Sequence, residues 1–245
     1  MTDAHCHVSC GDPSVREFLI GRDFFGIHPW EAEGLGEEGM RDEALRQKLI
    51  PHPSSIIPGV GEIGLDRLKQ KEISPRMREV FVAQLKLAFE LRRPVVLHGA
   101  KCWGQVVREI QNLELGMRNG GNSTFSIQPS SFLFHGFSRS DGLIPDIVKL
   151  NGYISVGPAV LNDHAVNYRE LVKKIPLERL LLETDRTPEN AATCPSVRDV
   201  AAKTAELRGL SLSELETLTD RNATAFLSMV PDSLALARSA RDSQA

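Results

Sequence analysis

Only four cysteines occur in 245 residues, Cys6, Cys10, Cys102 and Cys194, and no two form a Cys-x-x-Cys pair. That spacing argues against a zinc knuckle and supplies no compact disulfide framework, so reduced thiols in a cytoplasmic protein are expected. No apolar run approaches the roughly 18 residues that a membrane span needs. The amino terminus lacks a basic stretch followed by an apolar one, so no signal peptide is read there. Positive charge is not in excess either: 29 Lys and Arg stand against 32 Asp and Glu, a net charge of −3. Such a balance gives no global pull toward nucleic acid or an anionic membrane, and phosphate binding must come from local groups or metal ions. A Gly-rich phosphate loop after the first strand is also missing, which argues against an open doubly wound sheet.

What is there reads as a soluble globular chain, 41% hydrophobic and 25% charged. Its length suits one large α/β domain, expected over residues 1–230 with a tail over 231–245. Apolar strands are expected near residues 2, 25, 57, 96, 133, 154 and 181, seven in all. Ser14 to Gly21 reads as a short helix-like piece and 116–130, rich in Gly, Asn and Ser, as an inserted loop. Helical spacing recurs over 37–50, Pro75 to Leu91, Trp103 to Leu115, 141–150, 163–174, 196–208 and 211–229. Strands alternating with amphipathic helices predict a parallel sheet, and the fold class expected is a distorted TIM-like β/α barrel.

In such a barrel the carboxyl ends of the strands converge, and catalytic groups gather there. The residues at those ends are His5, His7, His28, Glu62, His98, His135 and Asp185, which include five of the seven histidines. His5 and His7 lie two apart, so an extended strand points both rings to one side. Cys6 between them faces the core. Glycines flank Glu62, in Gly61-Glu62-Ile63-Gly64, and allow close backbone approach. Imidazoles and carboxylates suit magnesium, manganese, zinc or a similar divalent ion, and six donors suit two ions with a carboxylate between them. Metal-assisted hydrolysis follows, with Glu62 and Asp185 as the catalytic carboxylates and Asp185 placed to take a proton from water. Arg67, Lys101, Arg139 and Arg186 each follow a motif and could ring the mouth to bind phosphate. His28 is read as a substrate contact, and Asp66 as a carboxylate that orients a ligand histidine. Trp30 is a candidate for stacking on a base, whereas Trp103 is expected to pack a helix. His52 and His164 receive no role.

His5-Cys-His7, GIHPW at 26–30, GEIGLD at 61–66, PVVLH at 94–98, FHGFS at 134–138, YISVGPA at 153–159 and LLETD at 181–185 resemble, in order, the motifs of the TatD family. Its members are metal-dependent deoxyribonucleases of the amidohydrolase superfamily, built on a distorted β/α barrel. The resemblance implies that His5 and His7 hold one metal with Asp185, that Glu62 bridges, and that His98 and His135 hold the second. It also implies a deoxyribonuclease of the 3'-5' exonuclease type, with DNA as partner. A narrow mouth without a basic surface favours single-stranded or frayed ends. A monomer is assumed.

Departures from the family pattern fall on substrate-facing neighbours. Arg67 follows GLD where an aromatic residue is usual, Gly99-Ala100-Lys101 replaces Ser-Arg-Asp, and Arg186-Thr187-Pro188 replaces Ala-Pro-Tyr. The segment after His7 is short. Either Arg16 to Ile20 forms an abbreviated strand, or a seven-stranded barrel closes with a gap. Two alternatives stay open: the same metal site acting on an amide, lactone or small phosphoester, and a non-catalytic binding protein. Six retained ligands argue against the latter.

Overall fold

A computed structural model describes residues 1–49, 59–119 and 130–228. Eight parallel strands follow in order: β1 (Thr2–Cys6), β2 (Arg16–Leu19), β3 (Phe24–Phe25), β4 (Gly59–Asp66), β5 (Val95–Ala100), β6 (Phe132–Phe134), β7 (Gly152–Val156) and β8 (Leu180–Leu182). β1 pairs with β2, and β3 to β8 form a six-stranded sheet in sequential order. A single bridge from Ile20 to Phe24 joins the two sheets. The other seam is closed by backbone bonds, Asp185 N to His5 O at 3.0 Å and His7 N to Arg186 O at 2.8 Å.

Seven strands were expected and eight are present, so the abbreviated-strand alternative holds. Arg16–Leu19 is a strand and not the helix-like piece read over Ser14 to Gly21. Its four residues run from exposed Arg16 to buried Phe18 and Leu19, too short a segment for any period to show. The upstream part of the strand read from Ser55, the insertion over 120–129 and the tail over 231–245 lie outside the described residues.

The helices are α1 (Asp42–Leu49), α2 (Pro75–Glu90), α3 (Trp103–Asn119), α4 (Ile144–Lys149), α5 (Val166–Lys174), α6 (Val197–Arg208) and α7 (Leu212–Leu227). α3 continues past Leu115, so residues 116–119 are helix and not loop. Local signals set several ends. Ser74 accepts from Met77 N with Pro75 behind it, and capping boxes pair Ser196 with Asp199 and Ser211 with Glu214. None of the described helices is long and apolar enough to cross a membrane.

Two apolar clusters hold the fold. The larger lies between sheet and helices and includes Trp103, buried against Phe134 and Phe137. The smaller fills the barrel: Ala4, Phe18, Phe24, Val96, Leu133, Tyr153 and Leu181 meet Ala223 and Phe226 of α7. Phe226 stacks on Phe24 at 6.1 Å, while Asn222 donates to Leu180 O and Ser131 donates to Phe226 O. α7 therefore plugs the amino ends of the strands. The opposite ends are left open for chemistry.

Candidate metal centre

β4 supplies the central group. Gly61 joins Glu62 through a cis peptide bond, and a Cβ on Gly64 would lie 1.9 Å from the His98 carbonyl oxygen. Only glycine permits that approach, which brings β4 and β5 together beside the site. Glu62 is 4% exposed. Its Oε1 lies 2.6 Å from His98 Nδ1, 2.6 Å from His135 Nε2 and 3.5 Å from His28 Nε2. Its Oε2 faces His7 Nε2 at 3.4 Å and His5 Nε2 at 3.6 Å. Burial opposes the Glu62 charge, yet the His135 charge and hydrogen bonds from His135, His28 and His7 hold its pKa well below the usual carboxylate range.

Asp185 completes the side nearer β1. Its Oδ1 lies 3.4 Å from His5 Nε2 and 3.7 Å from His7 Nε2. The residue is left-handed at φ 49°, a conformation Asp tolerates better than most side chains. Burial works against its charge, but the His5 ring 3.4 Å away, with the charge of His135, brings its pKa to about 2. It is an ionised acceptor at neutral pH.

The donor set fits a cation. His5 is fully buried, with both ring nitrogens lacking a hydrogen-bond partner, and His135 Nδ1 is likewise unpartnered. Each such buried atom costs about 1–3 kcal/mol when left unsatisfied. Burial, followed by the His135 charge, lowers the His5 pKa to about 4, keeping it a neutral imidazole suited to ligation. The ligand atoms fall into three groups, each within 4.8 Å: His5, His7 and Glu62; His5, His135 and Asp185; His28, Glu62 and His98.

Surrounding carboxylates hold the rings. Asp66 Oδ2 lies 2.8 Å from His98 Nε2, so His98 can donate there and keep its Nδ1 lone pair toward the centre. Trp30 Nε1 donates to the same Asp66 oxygen at 2.9 Å, and Asp66 Oδ1 accepts from Leu68 N and Lys69 N at 2.6 and 2.8 Å. Glu183, a site residue not expected from the sequence, is 1% exposed and accepts from Ser155 Oγ at 2.6 Å and Gly136 N at 2.7 Å. Its Oε2 stands 3.9 Å from His135 Nδ1, and burial raises its pKa to about 7. Its one signal is its place two residues before Asp185 in the same motif.

His28 sits apart in role. It caps the short turn Pro29–Gly34, its Nδ1 accepting from Trp30 N at 3.2 Å. A neutral imidazole that accepts at Nδ1 carries its proton on Nε2, the nitrogen facing Glu62. The turn thus makes His28 a donor toward a carboxylate or phosphate oxygen.

The basic residues do not all reach the mouth. Arg67 Nε donates to Lys71 O within its own loop, and Arg186 donates to Ala191 O while its Nε is buried. Lys101 is exposed and left-handed at φ 57° and lines neither cavity at the strand ends. One of those cavities, about 490 Å³, is lined by His7, Glu62, His98, His135 and Asp185 together with His28 and Trp30. The other, about 690 Å³, contains Arg139 and shares Asp185 as a wall.

A parallel β/α barrel that gathers five histidines and two carboxylates at its open end defines a metal-dependent hydrolase. The model of the TatD related DNase family matches residues 21–228, and the chain belongs to that family. It is 32% identical to the uncharacterized metal-dependent hydrolase YabD of Bacillus subtilis, over 81% of this chain and 74% of that protein. It is 25% identical to the human deoxyribonuclease TATDN3, over 81% of this chain and 71% of that one. Among solved structures, the TatD homolog YjjV of Escherichia coli aligns with a TM-score of 0.69 over 92% of this chain and 96% of that one. Its 23% identity bears on the fold alone.

Proposed function

We propose that this protein hydrolyses phosphodiester bonds in DNA, working on single-stranded or frayed ends with two divalent ions. The observation that carries the reading is the division of Glu62, with Oε1 toward His98 and His135 and Oε2 toward His5 and His7. One carboxylate facing two sets of imidazoles is the arrangement a two-ion site needs. His5, His7 and Asp185 would hold one ion, His98 and His135 the other, and Glu62 both. When bound, such ions supply Lewis-acid activation of water and neutralise phosphate charge. Magnesium, manganese and zinc all suit these donors.

The chain's own groups then divide the work. Asp185 accepts the proton of the attacking water. His28, held as an Nε2 donor by its cap, contacts a phosphate oxygen on the mouth side. Asp66 keeps the His98 ring oriented. Arg67 and Arg186, sequestered on Lys71 and Ala191, shape their loops around the substrate. So few free cations support a short stretch of strand as substrate. Membership of the family, and the name of the human relative, support DNA as its source.

The test offers purified protein single-stranded and duplex DNA with magnesium, manganese or zinc, and with chelator. Chelator-sensitive release of mononucleotides, faster from single strands, is expected. No cleavage under any metal, with metal bound by elemental analysis, would move the activity to an amide, lactone or small phosphoester.

A further inference from the structure

Beyond Asp185 lies a cavity of about 690 Å³ whose remaining lining residues are not among those assigned to the ions. Asp185 separates it from the metal centre and lines both spaces. One wall is apolar, made by Pro158, Ala159, Ala165 and Val166, the last 60% exposed. Arg139 and His164 stand at its edge as exposed nitrogen donors. Among the described residues the Arg139 side chain has no hydrogen bond or ion pair, in contrast to Arg67 and Arg186. α5 begins at this wall without a side-chain cap.

Arg139 also sits at φ 57°, in the left-handed region that glycine occupies at less cost. A side chain held there gains nothing for the fold through polar contacts of its own. Strained positions of this kind concentrate where a ligand is held. A bond cleaved at the ions has a group on each side, and the space across Asp185 is wide enough for one nucleotide.

We propose that this cavity is a nucleotide subsite: the nucleoside next to the scissile phosphate lies on the Pro158–Val166 wall, and Arg139 binds the following phosphate of the strand. This rests on the phosphodiester reading above and adds a residue that sets substrate preference. Arg139 is a binding residue and takes no part in bond cleavage.

The experiment compares wild type, Arg139→Gly and Val166→Trp on two substrates. One is a two-nucleotide DNA fragment with a terminal phosphate; the other is bis(p-nitrophenyl) phosphate, which has neither nucleoside nor second phosphate. Arg139→Gly should lower the ratio of kcat/KM, fragment over small diester, by about tenfold through KM, the loss of one charge-assisted contact. Because glycine accepts the backbone there, its thermal midpoint should not fall. Val166→Trp should lower the same ratio by filling the wall. Equal loss on both substrates, or no change in the ratio, overturns the subsite. Calorimetric binding of a nucleoside bisphosphate covers the case in which wild type cleaves neither diester. Binding that weakens in Arg139→Gly keeps the subsite while the phosphodiesterase reading fails; no binding to wild type overturns the subsite itself.

Discussion

Asp185 and Asp66 both touch the ring of histidines, and they differ in what their loss should do. Asp185 faces His5 and His7 with one oxygen, and its left-handed backbone suits asparagine as well as aspartate. Asp185→Asn should therefore keep the thermal midpoint near wild type while kcat falls about 10²–10⁴-fold, the usual contribution of a proton acceptor. Near wild-type turnover would remove Asp185 from that role. Asp66 uses both oxygens, one on His98 and Trp30, the other on two loop amides. An amide has a single acceptor oxygen, so Asp66→Asn must lose one of these sets. Metal affinity should fall about 10–100-fold, read by competition with a chromophoric chelator. Unchanged affinity would make Asp66 a loop pin only. His5, His7, Glu62, His98, His135 and Asp185 were legible because each closes or borders an apolar run. Glu183 was not, since its partners Ser155 and Gly136 come from other strands. Nor was the diversion of Arg67 and Arg186 onto carbonyls of their own loops, which depends on how those loops bend.

Among the elements, long amphipathic helices and apolar strands declared themselves, and β2 did not. Four residues offer no period, and the segment becomes a strand because the barrel interior takes up Phe18 beside Phe24 and Phe226. The seam between β1 and β8 was also hidden. It is held by Asp3, whose Oδ1 accepts from Thr184 N at 3.0 Å and whose Oδ2 accepts from Thr184 Oγ1 at 2.6 Å, across 181 residues of sequence. Nothing in either local stretch announces that pair. Asp3→Ala leaves both Thr184 donors buried without a partner and should destabilise the fold by about 1–3 kcal/mol, measured by urea unfolding. A midpoint equal to wild type would show that the backbone bonds hold the seam alone.

Taken whole, the molecule couples its metal centre to protons. Burial disfavours a charged His135, but the charge and hydrogen bond of Glu62, followed by Glu183, raise its pKa to about 10. His7 is raised too, chiefly through its hydrogen bond to Glu62. A raised histidine pKa means that the proton is present below that value and must leave before the ring can ligate. Metal uptake at about pH 8 should release protons, and apparent affinity should climb as pH rises toward 10. Calorimetry in buffers of different ionisation enthalpy measures this directly; a signal independent of buffer would show that the rings are already neutral.

The barrel seam has a consequence for the order of events in synthesis and folding. His5 and His7 come at the start of the described chain, and Asp185 comes after seven intervening strands. Contacts this distant carry the largest loop-closure cost and form after local ones. A growing polypeptide therefore carries His5 and His7 through the synthesis of seven further strands without the carboxylate that completes them. The donor set of His5, His7 and Asp185 is complete only when β8 docks against β1.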